Sequence, residues 1–220
     1  MYLSQLILNP RSRQVRSEVS QPYEMHRTLL KAFPDQAEGG PGRVLFRLES
    51  QDQATHAGLK VLVQSDREPD WRCLAEKSDY LVQSPDYKQF EPAFQPGQRL
   101  AFRLRANPTK RAPHHDPDSK KRPRIGLYTE EAQRDWLARK GDEGGFALLG
   151  VTVISEGKVG GKIHRSEEES HTLNLLAVRF EGLLQVTDPA KFLETVQQGI
   201  GSGKGLGFGL LSLARAAAER

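Results

Sequence analysis

The chain has 220 residues, a formal net charge of +4 and a single cysteine, Cys73. That length holds one large or two small domains, the lone thiol excludes an intrachain disulfide and fits a reducing cytoplasm, and a pI of about 9.2 makes a polyanion a natural partner. No apolar run approaches the roughly 18 residues of a membrane span and the N-terminus lacks a signal-peptide plan, so a soluble, cytoplasmic protein is expected.

Tyr2 to Leu8 reads as a strand, ended by Asn9-Pro10. Arg11, Arg13 and Arg16 follow in what reads as a polar loop. Pro22 opens a helix running to about Phe33, with Ser20 or Gln21 near its cap and Pro34 stopping it. At about 100° per residue, Pro22, Met25, Leu29, Ala32 and Phe33 form its buried stripe. His26 falls on the flank of that stripe with Tyr23 beside it at i, i+3, and Arg27 and Lys31 fan out alongside. A lone helix histidine is usually a half-buried structural residue; the grouping carries the suggestion of chemistry here.

Val44 to Glu49 and Leu59 to Gln64 read as strands joined by a polar loop holding His56. Asp70 to Lys77 reads as a short helix and Tyr80 to Gln83 as a fourth strand, so the first half follows the order βαββ(α)β. Pro85 to Gly97, with three prolines, reads as an interdomain linker. Two domains are therefore expected, 1–92 and 93–220.

Arg99 to Arg105 alternates, with Arg99, Arg103 and Arg105 on one side and Leu100, Phe102 and Leu104 on the other. Asn107 to Arg124 is a basic, proline-rich loop carrying Lys110, Arg111, Lys120, Lys121, Arg122 and Arg124, expected to order on an anion. Its His114-His115-Asp116 has ligand chemistry, but no second cluster lies at site-like spacing. Thr129 caps a helix through about Lys140. Ala147 to Ser155 and Leu173 to Val186 read as strands. Between them Gly160-Gly161 reads as the turned tip of a hairpin carrying Lys158, Lys162 and Arg165. Asp188 N-caps a helix opened by Pro189 and running to about Gln198.

From Gly199 to Gly209 every odd position is glycine, with Lys204 in the middle. The spacing matches neither a dinucleotide fingerprint nor a P-loop, and it only partly matches an RNA-binding strand pattern. A close-packed connection and a phosphate-binding backbone remain equal readings. This run and Leu210 to Leu213 read as the last strand. The second half is then βαββαβ again, and the expected fold is α+β, with two tandem ferredoxin-like halves.

Cations arrive from several separate segments, which favours RNA. Aromatics make up 7% of the chain, so phosphate and shape contacts should outweigh base stacking. No carboxylate metal cluster and no Ser or Cys nucleophile elbow is visible. Cleavage of RNA by its own 2′-OH needs a proton-transfer group, a donor on the phosphate and a cation; His26, Tyr23 and Lys31 supply these in that order, without metal. The competing readings are a non-catalytic RNA-binding module and an assembly protein for acidic partners.

Four segments together resemble one family: Met1-Tyr2-Leu3-Ser4, Pro22-Tyr23-Glu24-Met25-His26-Arg27, Arg105-Ala106-Asn107-Pro108-Thr109-Lys110 and the Gly199–Gly209 run. Over essentially the whole chain the sequence is similar to the CRISPR repeat-processing endoribonucleases of the CasE type, subunits of the Cascade complex. The resemblance implies a cofactor-free cut at the 3′ base of a repeat stem-loop RNA, with retention of the guide among other Cascade subunits and no membrane. It maps the catalytic histidine to His26, the active-site tyrosine to Tyr23 and a supporting cation to Lys31. It places an RNA-gripping hairpin at about 151–178 with Lys158, Lys162 and Arg165 against the stem; Arg27, Lys110 and Lys204 complete the expected RNA contacts.

Overall fold

The computed structural model describes residues 1–35, 37–49, 58–76, 79–112, 123–164 and 170–216, with side chains of 161–164 and 170–173 excepted. His56, the 114–116 cluster and Arg165 lie outside the described residues. In chain order the elements are β1 (Tyr2–Leu8), α1 (Arg13–Ser20), α2 (Pro22–Leu30), β2 (Val44–Leu48), β3 (Leu59–Ser65), α3 (Arg72–Ala75) and β4 (Asp86–Gln89). Then come β5 (Arg99–Ala106), β6 (Thr109–Arg111), β7 (Arg124–Gly126), α4 (Glu130–Gly144), β8 (Phe146–His164), β9 (Ser170–Val186), α5 (Pro189–Gln198) and β10 (Leu211–Arg215).

Two four-stranded antiparallel sheets result, in the orders β2-β3-β1-β4 and β10-β5-β9-β8. In each, the first and third strands are central and the second and fourth lie at the edges, the ferredoxin-like arrangement. The fold is α+β with this unit in tandem. The alternation of β5 behaves as its pattern requires: Leu100, Phe102 and Leu104 are buried against Trp136, Phe180 and Phe192. The stripe on α2 likewise buries Met25 and Leu29 against Leu6, Leu8 and Phe46. Each such buried side chain contributes about 1.5–3 kcal/mol.

Four local expectations change. The basic stretch after Pro10 is a helix, α1, held by Val15 and by Glu18, whose carboxylate accepts hydrogen bonds from Thr28 Oγ1 (2.7 Å) and Tyr80 Oη (2.5 Å). A single apolar anchor and a buried polar one leave no periodic signal. The fourth strand is β4 rather than 80–83, and it lies inside the stretch read as a linker; all four of its residues are exposed, and it joins the sheet only through backbone pairing to β1. Gly160 and Gly161 are not a turn: β8 continues through them to His164, pairing Gly160 with Asn174 and Lys162 with Thr172. The glycine run is a loop, and only Leu211 onward is strand.

Arg47 joins the two sheets. It is 3% exposed and leaves β2 to donate from Nη1 to the carbonyls of Arg103 and Leu210 (both 3.1 Å) and from Nη2 to Ser212 Oγ (2.8 Å). Its Nε donates to Glu49 Oε1 at 2.7 Å. Gln64 adds a second tie, donating to the carbonyl of Val196 at 2.8 Å. Removing one partner of a buried ion pair strands the other, at a cost of about 3–5 kcal/mol. Arg47→Ala is expected to lower stability by about that amount, read as a fall in the urea midpoint; a change under about 1 kcal/mol would show that the sheets are held by other contacts.

Candidate active site

Proline at N1 fixes the start of α2, so Tyr23 and His26 leave its first two turns on one flank. That flank meets the Gly199–Gly209 loop, which comes from the other sheet. Five of its glycines have left-handed φ (Gly199 73°, Gly201 85°, Gly203 80°, Gly207 80°, Gly209 91°), and Lys204–Leu206 forms one 3-10 turn. The Gly209 amide donates to the Arg105 carbonyl at 2.8 Å and the Ile200 amide to the Gly209 carbonyl at 2.9 Å, which pins the loop on β5.

The loop closes on His26 at Gly205. A Cβ on that residue would lie 3.1 Å from His26 Cδ2 and 3.4 Å from Nε2, so glycine is what lets the two meet. On the other side the imidazole lies nearly parallel to Phe46, centroids 5.9 Å apart and planes at 14°. Nδ1 is buried without a hydrogen-bond partner, so a substrate contact falls to Nε2, the nitrogen on the Gly205 side. Burial disfavours the imidazolium and lowers the His26 pKa below its ordinary 6.5. Near neutral pH the ring is therefore uncharged and able to take a proton. Tyr23 packs with Leu206, Phe208 and Ala177 beside it.

The remaining sequence-named residues fall into three places. Lys31, at the end of α2, lines a shallow depression of about 430 Å³ with Arg27, Gln14 and Thr28. Lys31 sits about 140° round the helix from His26, and the fold does not bring the two together. Arg27 is paired with Glu24 at 3.1 Å. On the glycine loop, Lys204 directly precedes Gly205, and its pKa is lowered by burial and then by the charge of Arg43.

Lys204 also borders a groove of about 630 Å³ with Lys110, Arg111, Arg124, Arg139 and Lys140. Arg139 and Lys140 were not anticipated; on a polar face of α4 they read as a solvated pair. Lys140 is paired with Glu143. Lys158 lies on the opposite side, on the rim of a cleft of about 590 Å³ between α2, β2 and the β8–β9 arm. Its ammonium is 6.0 Å from the centre of the exposed Tyr128 ring. Lys162 is placed only by its backbone pairing to Thr172.

The fold and site thus define a tandem ferredoxin-like protein with a histidine at the junction of its halves and two cation-lined hollows bordered by the glycine loop that meets it. The family described as "CRISPR associated protein" matches residues 1–215, and the chain belongs to that family. It is 43% identical over 226 residues to "CRISPR-associated endoribonuclease Cse3" of Thermus thermophilus, covering 97% of this chain and 100% of that protein. It is 34% identical to "CRISPR system Cascade subunit CasE" of Escherichia coli, over 97% of this chain and 99% of that one. Among solved structures, Thermus thermophilus Cse3 bound to an RNA representing a pre-cleavage complex is similar at a TM-score of 0.79 and 42% identity, covering 97% of this chain and 98% of that chain.

An NMR titration of the RNA-free protein is expected to place the His26 midpoint below 6.5, the direction that burial imposes. A midpoint above 6.5 would mean that the ring is solvated or has found an anionic partner.

Proposed function

We propose that this protein is a metal-independent endoribonuclease that cuts precursor CRISPR RNA at the 3′ base of the repeat stem-loop and stays on the guide RNA as a Cascade subunit, in the cytoplasm. The observation that carries the reading is the placement of His26, with Nδ1 shut in and Nε2 on the side of the glycine loop, whose Lys204 and Leu206 border two cation-lined hollows. The relatives named as CRISPR endoribonucleases, matched over nearly the whole chain, support the same reaction class.

In this mechanism the neutral His26 Nε2 takes the proton of the 2′-OH next to the scissile phosphate. The 2′-oxygen attacks phosphorus, the P–O5′ bond breaks, and the leaving oxygen is reprotonated. The products are a 2′,3′-cyclic phosphate and a 5′-hydroxyl. Tyr23 donates a hydrogen bond to a non-bridging oxygen, and Lys31, on another face of α2 from His26, lends positive charge to the helix that the RNA backbone meets. Residues 1–92 carry the catalytic helix. Residues 93–220 grip RNA through Lys110, Lys158, Lys162, Arg165 and Lys204, with Arg27 adding a contact from the first half.

Purified protein with a hairpin repeat RNA in excess EDTA is expected to give one cut at the 3′ foot of the stem with a cyclic-phosphate end. His26→Ala should keep the RNA affinity and lose about 10²–10⁴-fold in cleavage rate. RNA that shifts on a native gel yet stays intact with wild-type protein would leave only a binding module, and cleavage that EDTA stops would rule out this site. Gly205→Ala, which pushes a methyl group against the imidazole, is expected to slow single-turnover cleavage while the RNA dissociation constant is unchanged.

A further inference from the structure

The cleft on the α2 side of the β8–β9 arm holds a carboxylate, Glu156, between two arginines. Glu156 Oε2 lies 2.6 Å from Arg105 Nε and Oε1 lies 3.0 Å from Arg179 Nε. The fit is poor on one side, because Arg179 Nε is buried and makes no properly directed hydrogen bond. Both arginines are held from behind. Arg105 rests over the Phe208 ring at 4.8 Å, and Arg179 Nη1 donates to Glu181. Each therefore keeps one contact when Glu156 moves away.

Glu156 itself sits on a β-bulge. The pairing of β8 with β9 slips between Ser155 and Lys158, leaving Glu156 and Gly157 outside the ladder, and Gly157 has φ 83° with nothing within 4 Å of where its Cβ would be. The side chain can swing away without breaking a strand pair. Pro22, Met25, Phe46 and Leu206 give the cleft an apolar stretch, and its two other carboxylates, Glu18 and Glu49, are already engaged by Thr28 and Tyr80 and by Arg47 and Arg103. Phe46 is the ring stacked on His26, and Leu206 follows the glycine that touches it. An occupant of the cleft is thus next to the cutting position.

We propose that this cleft is a nucleotide subsite: it takes an unpaired nucleotide just beyond the 3′ foot of the stem, whose phosphate displaces the Glu156 carboxylate from Arg105 and Arg179 while its sugar and base lie on the apolar stretch. Two guanidinium groups converging on one oxyanion suit a phosphate as well as they suit the two oxygens of Glu156, and a phosphate brings a further oxygen within reach of their Nη donors. Lys158 on the rim adds a third positive charge. Glu156 then offsets one of the two charges in the free protein and selects for RNA that carries the flank. The inference rests on the RNA-cleaving reading above.

The test uses two hairpin RNAs, one ending at the stem and one extended past its 3′ foot, each with a 2′-deoxy ribose at the cut site so that binding is measured without cleavage. Glu156→Gln is expected to bind the extended RNA about tenfold more tightly than wild type, the scale of one charge-assisted contact, and the stem-only RNA equally well. Arg179→Gln, with its melting temperature checked, is expected to weaken the extended RNA alone. A Glu156→Gln protein that binds both RNAs like wild type, gains equally on both or binds more weakly would overturn the subsite. If wild-type protein instead fails to bind or cut any hairpin RNA, the functional reading itself falls, and the subsite with it.

Discussion

Arg47 sets the geometry on which everything else depends. A guanidinium that is 3% exposed would be prohibitively costly if unpaired, so its donors must find acceptors, and those acceptors are the Arg103 and Leu210 carbonyls and the Ser212 hydroxyl of the other sheet. Leu210 is the residue directly after the glycine run. Satisfying one buried cation therefore anchors the C-terminal end of the loop that meets His26. Glu49 completes the arrangement, because it also holds Arg103 at 2.8 Å. A purely apolar junction would bury the same area with less control over register; directed hydrogen bonds tie it to particular backbone atoms.

From that anchor a chain of alternating charges runs through the junction: Arg47, Glu49, Arg103, Glu181, Arg179, Glu156, Arg105. Every cation in it has at least one carboxylate. By contrast, Lys110, Arg111, Arg124, Arg139 and Lys204, around the groove on the other side, have no carboxylate partner among the described residues. Net charge cannot separate these two populations, since both count equally toward +4. Partnering can. Paired arginines position backbone and side chains, and unpaired ones leave a potential that a polyanion neutralises.

The sequence was most informative where burial imposes a period. The α2 stripe and the alternation of β5 were legible because each needs several apolar residues on one face, and the strand order they imply matches both sheets. It was silent where an element is held by one or two contacts. Helix α1 depends on Val15 and on a buried Glu18, and the edge strand β4 has four exposed side chains, so neither carries a hydrophobic pattern. The glycine run misled for a related reason: period-two spacing marks a strand only when side chains alternate between faces, and glycine has none to place. Its left-handed φ values turn the chain into a loop instead. Of the site, the Tyr23–His26 pair was visible as an i, i+3 neighbour on one helix. The contact with Gly205 and the Arg105–Glu156 pairing join residues far apart in the chain, and only the tertiary structure brings them together.

Building the site across two halves also explains how a single histidine can be both buried and useful. On an isolated α2, His26 would be solvated at one edge and would titrate like any surface imidazole. Phe46 from its own sheet and Gly205 from the other close on its two sides, stripping water from the ring, and Nδ1 is left buried without a partner. The resulting fall in pKa keeps the ring in its neutral form, the form that accepts a proton, near neutral pH. Since the second wall arrives with the docking of the two sheets, which the Arg47 tie and the pinned glycine loop help to hold, the basicity of His26 reports that docking. A change that loosens the junction should therefore appear at the imidazole even when both sheets stay folded.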